Sequence, residues 1–568
     1  MHFDYWSNPF RIRSLAFGTF AILACLVLPL FAQNPITIRV DAASSQGPLK
    51  PIWSYFGADE PNYSYMKNGR KLLGELSALS PVPVYFRTHN LLTTGDGAPS
   101  LKWGSTNAYT EDASGKPVYS WTILDRIFDN LRDTGIRPLV EVGFMPEALS
   151  THPEPYRHNF PDGPVFTGWS YPPKDYGKWA ELVYQWTRHM RERYGDAALK
   201  TWLWEVWNEP DIAYWHGTRD EYFKLYDYST DAIKRAFPDA TVGGPDTTGP
   251  AGQHSGDFLR AFLEHCARGK NYATGKIGSP LAFISFHPKG SPKVIDGHLQ
   301  MGIRHHLLNI ERGFEIATSF PEWRNTPVIL GESDPEGCAA CSARMHPANA
   351  YRNGPLYAVY TAEVLNNIYG LAARTHANVS GVVTWAFEFE NQPYFDGFRA
   401  LATNGVDKAV LDAFRMFGFL GTERVAVASS GAIPPTQIVS QGVRGRADIS
   451  AIASRGDREI SILVWNYHDD AIPADAAEID LNVTGLPVAA TRVLIQHYRI
   501  DEGHSNAYAV WQSMGSPQSP SPAQYAKLEA AGQLHQLTSP AWLHVANGAA
   551  RLEFTLPREA LSLIRLTW

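Results

Sequence analysis

The sequence predicts an α/β protein in which a (β/α)8 TIM barrel is followed by a C-terminal antiparallel β-sandwich. Eight short apolar runs alternate with amphipathic stretches over residues 51–421. Strands that alternate with helices favour parallel pairing, and eight such units close into a barrel. From residue 422 to residue 568, helical patterns become sparse and short alternating runs replace them. This second texture is typical of a β-sandwich.

The eight apolar runs are five to nine residues long, and most are rich in Val, Ile, Phe or Trp. They are predicted as the barrel strands Ile52–Gly57, Val82–Thr88, Arg137–Phe144, Thr201–Glu209, Thr241–Pro245, Leu281–His287, Thr326–Glu332 and Gly381–Phe389. Helical segments are predicted between them, among others at Trp121–Gly135, Tyr176–Tyr194, Asp220–Phe237 and Asn349–Arg374. Residues at the carboxyl ends of the strands form the active site of such a barrel, so polar side chains there are candidates.

The second half of the chain supplies the predicted sandwich strands. These are Ile449–Ala453, Glu459–Asn466, Ile479–Val483, Arg492–Arg499, Arg551–Thr555 and Leu561–Thr567. Within residues 34–50, Ile36–Val40 is predicted as a further strand that joins the sandwich from the other end of the chain. Ser513–Gln524, rich in Ser, Pro and Gln, is predicted as a surface insertion.

Residues 1–33 are predicted as a signal peptide or an N-terminal anchor. Arg11 and Arg13 precede the apolar stretch Ser14–Ala32, and no second stretch of membrane length follows. We therefore expect an exported protein, periplasmic or extracellular, with no membrane contact beyond that possible anchor. Its net charge is −7 without a basic stripe, which argues against a nucleic-acid partner.

Cys338 and Cys341 are two of the four cysteines in the chain. Their two-residue gap is that of a zinc half-site or a redox pair, but no second pair of ligands accompanies it. We favour a local disulfide in a loop. No metal and no other cofactor is expected.

The run Thr201–Glu209 is the most informative element. It contains three tryptophans and reaches Asn208-Glu209-Pro210, where Pro210 has no N–H group to continue a sheet ladder. Burial among aromatic side chains raises the pKa of a carboxyl group, as a general acid near neutral pH requires. The alternative is a structural glutamate that caps the next helix; we favour the catalytic interpretation.

Cleavage of a glycosidic bond requires a second carboxyl group on the opposite face of the sugar. Glu332 ends the seventh run, three βα units beyond Glu209. The fourth and seventh strands lie on nearly facing parts of an eight-stranded ring, so both side chains reach one pocket. This placement is similar to that of the retaining barrel glycosidases of clan A, which implies carboxyl groups about 5–5.5 Å apart.

An ordered set of motifs restricts the resemblance from the whole clan to one family. The motifs are Phe86-Arg-Thr-His89, Trp121-Thr-Ile-Leu-Asp125, Arg137-Pro-Leu-Val-Glu-Val-Gly-Phe-Met-Pro146, Glu205-Val-Trp-Asn-Glu-Pro210, Gly243-Gly-Pro245, Ile284-Ser-Phe-His287 and Phe414-Arg-Met-Phe-Gly418. Together they resemble glycoside hydrolase family 39, whose members include β-xylosidases and α-L-iduronidases.

The resemblance implies a role for each matching residue. Glu209 would be the acid/base and Glu332 the nucleophile. The implied substrate contacts are Asn208 to the sugar 2-hydroxyl, His89 and His287 to other hydroxyls, Trp385 beneath the ring and Glu390 at its far edge. For Arg87, orientation of a carboxylate and a structural salt bridge are both open. Lys289 lies where a uronic acid could be contacted, but we favour a solvated lysine.

The sequence therefore predicts a retaining exo-β-glycosidase and favours a β-xylosidase acting on xylo-oligosaccharides. The nearest alternatives are α-L-iduronidase-like, arabinosidase or galactosidase activity. An endo-acting glucan or exopolysaccharide hydrolase and a non-catalytic sugar-binding protein also remain open. The sequence does not determine the oligomeric state.

Overall fold

A computed structural model describes residues 34–101, 104–158, 165–166, 168–487, 489 and 491–568. The predicted signal peptide or anchor, residues 1–33, lies outside the described residues. Residues 35–568 form one compact unit. Within the described part of the chain, no helix combines the length and the apolar character needed to cross a membrane.

Eight parallel strands close into a barrel, which confirms the predicted fold class. In chain order they are β1 (Tyr55–Ala58), β2 (Tyr85–Thr88), β3 (Arg137–Val142), β4 (Leu203–Val206), β5 (Thr241–Thr247), β6 (Phe283–Phe286), β7 (Val328–Leu330) and β8 (Val379–Thr384). Each strand pairs with its neighbours in sequence order, and β8 pairs with β1 to complete the ring.

A helix follows each barrel strand. In order, these helices are Lys67–Ser77, Thr122–Asp133, Tyr176–Tyr194, Arg219–Ala236, Gln253–Arg268, Ile303–Thr318, Pro355–Thr375 and Ala409–Gly418. The connections between these elements contain a short helix, Asp196–Leu199, and the 3-10 turns Pro61–Tyr65, Glu147–Leu149 and Pro347–Asn353. They also contain four two-stranded hairpins: Tyr109–Glu111 with Pro117–Tyr119, Arg157–His158 with Val165–Phe166, Lys293–Ile295 with His298–Gln300, and Ala402–Thr403 with Val406–Asp407. The predicted helix Asn349–Arg374 begins later, at Pro355, because the Pro347–Asn353 turn precedes it as a separate element.

Several predicted strands run past the point where the ladder stops. The fourth was predicted to reach Glu209 but ends at Val206, because Trp207 has a φ of 73° and leaves the extended conformation. The eighth was predicted to reach Phe389 and ends at Thr384. In both cases the apolar residues beyond the strand belong to the loop that carries polar side chains into the barrel mouth.

The C-terminal part forms a ten-stranded, mostly antiparallel sheet that folds over as a sandwich. Its main path runs through His535–Gln536, Arg492–Ile500, Leu561–Thr567, Glu459–Tyr467, Asp448–Gly456, Glu423–Ser429, Ile36–Pro48, Ala477–Thr484 and Ala550–Leu556, and Ala541–His544 pairs with Arg492–Ile500. The strand Ile36–Pro48 is antiparallel to Glu423–Ser429 and parallel to Ala477–Thr484. The sequence analysis missed Glu423–Ser429, which directly follows the barrel.

The two faces of the strand Glu459–Tyr467 serve two cores. Ile462 and Val464 point into the sandwich core, while Leu463 and Trp465 pack into the core shared with the barrel. Successive side chains of a strand point to opposite faces, so a strand that is buried on both faces contributes alternate residues to two cores. The indole Nε1 of Trp465 donates to Glu363, on the helix Pro355–Thr375 that follows β7. The sandwich therefore packs directly against the barrel wall.

Two smaller predictions concern loops. Cys338 and Cys341 form a disulfide bond, which confirms the predicted local disulfide. Most of Ser513–Gln524 is exposed, between the helices Ala507–Ser513 and Pro522–Ala531. Within it, Gln518 accepts a hydrogen bond from the backbone N–H of Tyr394, at 2.8 Å, so this surface segment contacts the loop that follows β8.

Candidate active site

Glu209 lies in a tight turn at the carboxyl end of β4. Its φ of 45° is left-handed, and such strained residues concentrate at functional sites. Two bonds hold the turn: the Glu209 N–H donates to the carbonyl of Asp246, at 3.0 Å, and the Trp207 indole donates to the carbonyl of Tyr214, at 2.9 Å. The Glu209 side chain is 14% exposed, so it is shielded but reachable from the barrel mouth.

Glu332 follows the carboxyl end of β7. It comes directly after Gly331, where a Cβ would lie 2.0 Å from the Asp246 carboxylate, so glycine leaves room for the Asp246 side chain. A carboxylate oxygen of Glu209, one of Glu332 and a ring nitrogen of His287 all lie within 4.8 Å of one another. The fold thus brings the two glutamates, distant in sequence, to one site.

His287, at the end of β6, connects the two carboxylates to the barrel floor. Its Nδ1 lies 2.9 Å from Glu209 and 3.8 Å from Glu332, and its Nε2 lies 2.6 Å from Asp246. Burial alone would lower the pKa of His287, but the surrounding carboxylates raise it to about 10. The ring is therefore a cation with a carboxylate beside each of its nitrogens.

Arg87, on β2, is fully buried among protein carboxylates. It donates from Nε to Glu205 at 2.7 Å, from Nη2 to Glu141 at 2.9 Å and from Nη1 to Glu332 at 3.3 Å. It also contacts Asp246. Of the two interpretations of Arg87 that the sequence left open, the structure supports the salt bridge.

The prediction for the side chain of Lys289 is wrong. It was expected to be solvated, but its side chain is only 16% exposed and its Nζ lies 2.6 Å from Glu332 and 2.7 Å from Asp334. A helix or strand pattern does not reveal the direction of a side chain in a loop, and here the backbone pairs Lys289 with Asp334. The ammonium group is therefore turned inward onto the Glu332 carboxylate.

The two glutamates have opposite pKa shifts. Burial raises the pKa of Glu209, and the hydrogen bond from His287 offsets this only in part. Burial also acts to raise the pKa of Glu332, but the cations Lys289, His287 and Arg87 outweigh it and hold that pKa well below its usual range. The shifts favour the protonated form of Glu209 and the ionised form of Glu332, the directions that an acid and a nucleophile require.

Three further predicted residues line the floor of the same site. The Asn208 side-chain oxygen accepts from Arg87 at 3.1 Å. His89 is buried, with Nε2 3.3 Å from Glu141. The Trp385 indole lies over Arg87 at 4.8 Å and donates to Asp59 at 2.7 Å. A Cβ at Gly57 would lie 2.3 Å from this indole, so glycine makes room for it.

Glu390, predicted to contact the far edge of the sugar, contacts the start of the helix after β1. The residue is 5% exposed and its carboxylate accepts a hydrogen bond from the backbone N–H of Asn68, in the first turn of the helix Lys67–Ser77. It lines a cavity of about 710 Å³ whose lining includes neither Glu209 nor Glu332. Carboxylates are favoured at helix N-termini, so this contact holds one oxygen of the Glu390 carboxylate.

Three acidic residues beneath the two glutamates were not predicted from the sequence. Glu141 and Glu205 are neighbours in register on β3 and β4, and Asp246 is the residue before the last of β5. All three contact Arg87. A lone acidic residue within an otherwise apolar barrel strand was the available signal, since such a charge needs a buried partner.

Glu209, His287 and Glu332 are close enough together to surround a metal ion. A ligating imidazole must be neutral, with a lone pair directed at the metal. His287 instead has a carboxylate beside each ring nitrogen, and its pKa is raised. The donor set therefore fits proton transfer better than metal binding.

Comparison with known families identifies the chain. Residues 36–544 match the family model described as glycosyl hydrolases family 39. The chain belongs to this family. It is therefore a glycoside hydrolase, as the motifs had predicted.

Relatives of this family 39 hydrolase include enzymes of two activities. A β-xylosidase of Geobacillus stearothermophilus is 28% identical over 502 residues, 85% of this chain and 86% of that protein. An α-L-iduronidase of Mus musculus is 25% identical over 544 residues, 89% of this chain and 77% of that protein. Among solved structures, a GH39 enzyme from Xanthomonas axonopodis pv. citri superposes with a TM-score of 0.73 at 22% identity, covering 94% of this chain and 97% of that one. This last likeness shows the fold alone.

Proposed function

We propose that this family 39 hydrolase is a retaining exo-β-glycosidase that releases xylose from the non-reducing ends of xylo-oligosaccharides. The observation that carries the proposal is the Glu209–Glu332 pair, within 4.8 Å and with opposite pKa shifts. A short separation leaves no room for a water between the carboxylate and the sugar and favours the retaining mechanism.

In the first step, the ionised Glu332 attacks the anomeric carbon while Glu209 gives its proton to the departing glycosidic oxygen. The carbon–oxygen bond breaks, an ester between sugar and Glu332 forms, and the leaving saccharide departs as an alcohol. In the second step, Glu209 takes a proton from water, which attacks the same carbon and releases Glu332. The charge of His287 favours the ionised form of Glu209 that this second step needs.

The other side chains orient the sugar. Asn208, held by Arg87, would bind the 2-hydroxyl, a contact that strengthens in the transition state. His89, His287 and Trp385 would form the floor. Glu390 would take the hydroxyls at the far edge of the sugar, with one of its carboxylate oxygens held by the Asn68 N–H.

A second candidate is an α-L-iduronidase-like activity. Lys289 favours it, because a partly exposed cation beside the nucleophile can also attract the carboxylate of a uronic acid. The curated β-xylosidases match with 28% identity and the iduronidases with 22–25%, so we place xylose first.

A panel of aryl glycosides tests the proposal, with the β-xyloside, α-L-iduronide, α-L-arabinoside and β-galactoside assayed side by side. We expect the β-xyloside to have the highest kcat/KM, with Glu332→Ala as the inactive control. Preference for the iduronide would transfer the proposal to the second candidate, and no turnover of any glycoside would favour a sugar-binding protein. Release of xylose one unit at a time from xylotetraose would support exo action; early xylobiose would argue for endo action.

We also propose that residues 1–33 direct export. Expression of the full chain in a bacterial host, followed by N-terminal sequencing of the periplasmic protein, tests this. A first residue near Gln33 would support cleavage, whereas cytoplasmic retention of the whole chain would contradict export.

A further inference from the structure

We propose that Arg399 and the loop Asp334–Cys341 position the ammonium group of Lys289 on the proposed nucleophile. This segment is called the disulfide loop below, because a disulfide bond joins Cys338 to Cys341. Its residues and Arg399 act through Lys289 and are therefore positioning residues. The inference rests on the proposed function, because a cation beside this carboxylate affects catalysis only if the carboxylate attacks the sugar.

The ammonium group of Lys289 lies between two carboxylates. Its Nζ is 2.6 Å from Glu332 and 2.7 Å from Asp334, and the Asp334 side chain is fully buried. A lysine side chain is long and flexible, and its three donors rotate. A single carboxylate partner would allow it several arrangements, whereas two partners restrict it to the space between them. The position of Asp334 therefore determines where the positive charge lies.

Asp334 is itself held by three contacts. Its Oδ1 accepts from the backbone N–H of Trp385 at 3.0 Å. Its backbone carbonyl accepts at 2.9 Å from the N–H of Gly290, the residue after Lys289. Nη2 of Arg399 lies 3.5 Å from Oδ2, the oxygen that also contacts Lys289. Two cations thus share one oxygen atom, and a displacement of either changes the interaction of the other, since charge interactions depend on distance.

Arg399 connects Asp334 to the middle of the disulfide loop. Its side chain is fully buried. Its Nη1 donates to the carboxylate of Glu336 at 2.7 Å, its Nε donates to the carbonyl of Trp385 at 3.0 Å, and its backbone N–H donates to the carbonyl of Ala339 at 3.0 Å. A buried guanidinium group depends on such partners for its stability. The conformation of the loop therefore fixes the position of this cation.

A second buried arginine, Arg352, joins the same carboxylate to the disulfide. Its Nη2 lies 2.9 Å from Oε1 of Glu336, the oxygen that Arg399 also contacts. Its Nη1 donates to the carbonyl of Cys341 at 2.9 Å, and its Nη2 donates to the carbonyl of Cys338 at 3.0 Å. The disulfide keeps the Cα atoms of the two cysteines 5.5 Å apart. Both carbonyls therefore stay on one guanidinium group.

These contacts form one continuous series from the disulfide to the nucleophile. It runs through Arg352, Glu336, Arg399, Asp334 and Lys289. The alternative is that the series only stabilises the fold. A double-mutant cycle separates the two interpretations, because it measures whether a change in the loop still has an effect once Lys289 is gone.

The test exchanges the disulfide for neutral side chains, so that no charge is removed with it. Cys338→Ser together with Cys341→Ser is assayed on the aryl glycoside that the wild type cleaves fastest. We expect kcat/KM to fall by about threefold to tenfold, within the range for residues that share one network. The acidic limb of the pH–kcat/KM profile should move upward, because the cation is held less closely to the nucleophile.

The same exchange made in the Lys289→Met background should lower kcat/KM by less than about twofold, because the group through which the loop acts is already absent. Gly337→Ala is the matched control within the disulfide loop. Gly337 is exposed, and a Cβ there would meet no atom of the described residues within 4 Å. Its kcat/KM and its pH profile should equal those of the wild type.

Asp334→Asn provides a second test, which decides alone if the cysteine variant does not fold. Loss of a negative charge would by itself lower the pKa of Glu332 and move the acidic limb downward. Loss of the partner that holds Lys289 in place would move the limb upward. We expect the upward shift.

Equal losses from the cysteine exchange in the wild-type and Lys289→Met backgrounds would overturn the inference, because the loop would then act without Lys289. Unchanged kinetics of the cysteine variant, or a downward shift in Asp334→Asn, would overturn it as well. Failure of the wild type on every aryl glycoside would instead overturn the proposed function. The activity of the wild type therefore distinguishes the two failures.

Discussion

The ammonium group of Lys289 lies 2.6 Å from the carboxylate of Glu332. This places a cation directly on the proposed nucleophile, with Asp334 as its second partner. An adjacent opposite charge stabilises an ionised carboxylate in a buried site. The nucleophile is therefore kept ionised by its neighbours despite its burial.

Lys289→Met should move the acidic limb of the pH–kcat/KM profile upward. Methionine keeps much of the length of the lysine side chain without its charge, so the pKa of Glu332 should rise. The midpoint of the acidic limb should then lie at least about one pH unit higher than in the wild type. Lys276→Met, at an exposed position, is the control with an unchanged profile. An unshifted acidic limb in Lys289→Met would show that Lys289 does not tune the nucleophile.

Glu332→Ala should abolish turnover, because it removes the carboxylate that forms the glycosyl ester in the proposed mechanism. Azide should rescue the variant on an activated aryl glycoside by occupying the vacated space, and the product should be a glycosyl azide. Chromatography and mass spectrometry identify that product. A rescued enzyme that releases only free sugar would point to another nucleophile.

Glu209→Ala should affect substrates according to their leaving groups. Substrates with poor leaving groups need protonation and should slow by about 10²- to 10⁴-fold. Dinitrophenyl glycosides leave readily and should slow far less in the first step. Steady-state and burst kinetics on both classes measure the difference; equal losses would remove Glu209 from the acid role.

Glu363→Gln should make stability less sensitive to pH. Burial, followed by the charge of Asp448, raises the pKa of Glu363 well above its ordinary value of 4.5. The folded state therefore keeps the proton of Glu363 at pH values where the unfolded state has lost it. The contribution of Glu363 to the stability of the folded state is fully present below pH 4.5 and is lost as the pH rises through the folded-state pKa. Glutamine cannot ionise. Between pH 4.5 and the folded-state pKa of Glu363, the free energy of unfolding of the variant should therefore rise relative to that of the wild type by up to about 1.4 kcal/mol per pH unit.

Thermal unfolding at pH values from about 5 to about 8 measures this difference for both proteins. Glu478→Gln, at an exposed position on the sandwich, is the control and should follow the wild type at every pH. A difference between Glu363→Gln and the wild type that does not grow with pH would mean that Glu363 is ionised in the folded protein.

Several features could be predicted without coordinates. The alternation of apolar runs and helices indicated the barrel, and Glu209 and Glu332 were found because each follows such a run. The disulfide between Cys338 and Cys341 followed from spacing and from the lack of other ligands. Strand ends were less accurate, because Trp207 leaves the ladder at a left-handed φ that no local pattern reveals.

Other features could not be predicted because they depend on contacts between strands. Glu141, Glu205 and Asp246 become one cluster only when three different strands place them around Arg87. Lys289 was expected to be solvated, yet it contacts the carboxylate of Glu332. The direction of a loop side chain depends on partners distant in sequence.

The sequence alone determined the (β/α)8 architecture and the two candidate glutamates, because hydrophobic period and strand-end position are local properties of the chain. Only the tertiary structure showed why the pKa values of the two glutamates shift in opposite directions. Burial and the distances to Lys289, His287 and Arg87 set the difference between the pKa values of Glu209 and Glu332. Both are properties of the folded molecule, because electrostatic interactions act through space between residues that folding brings together.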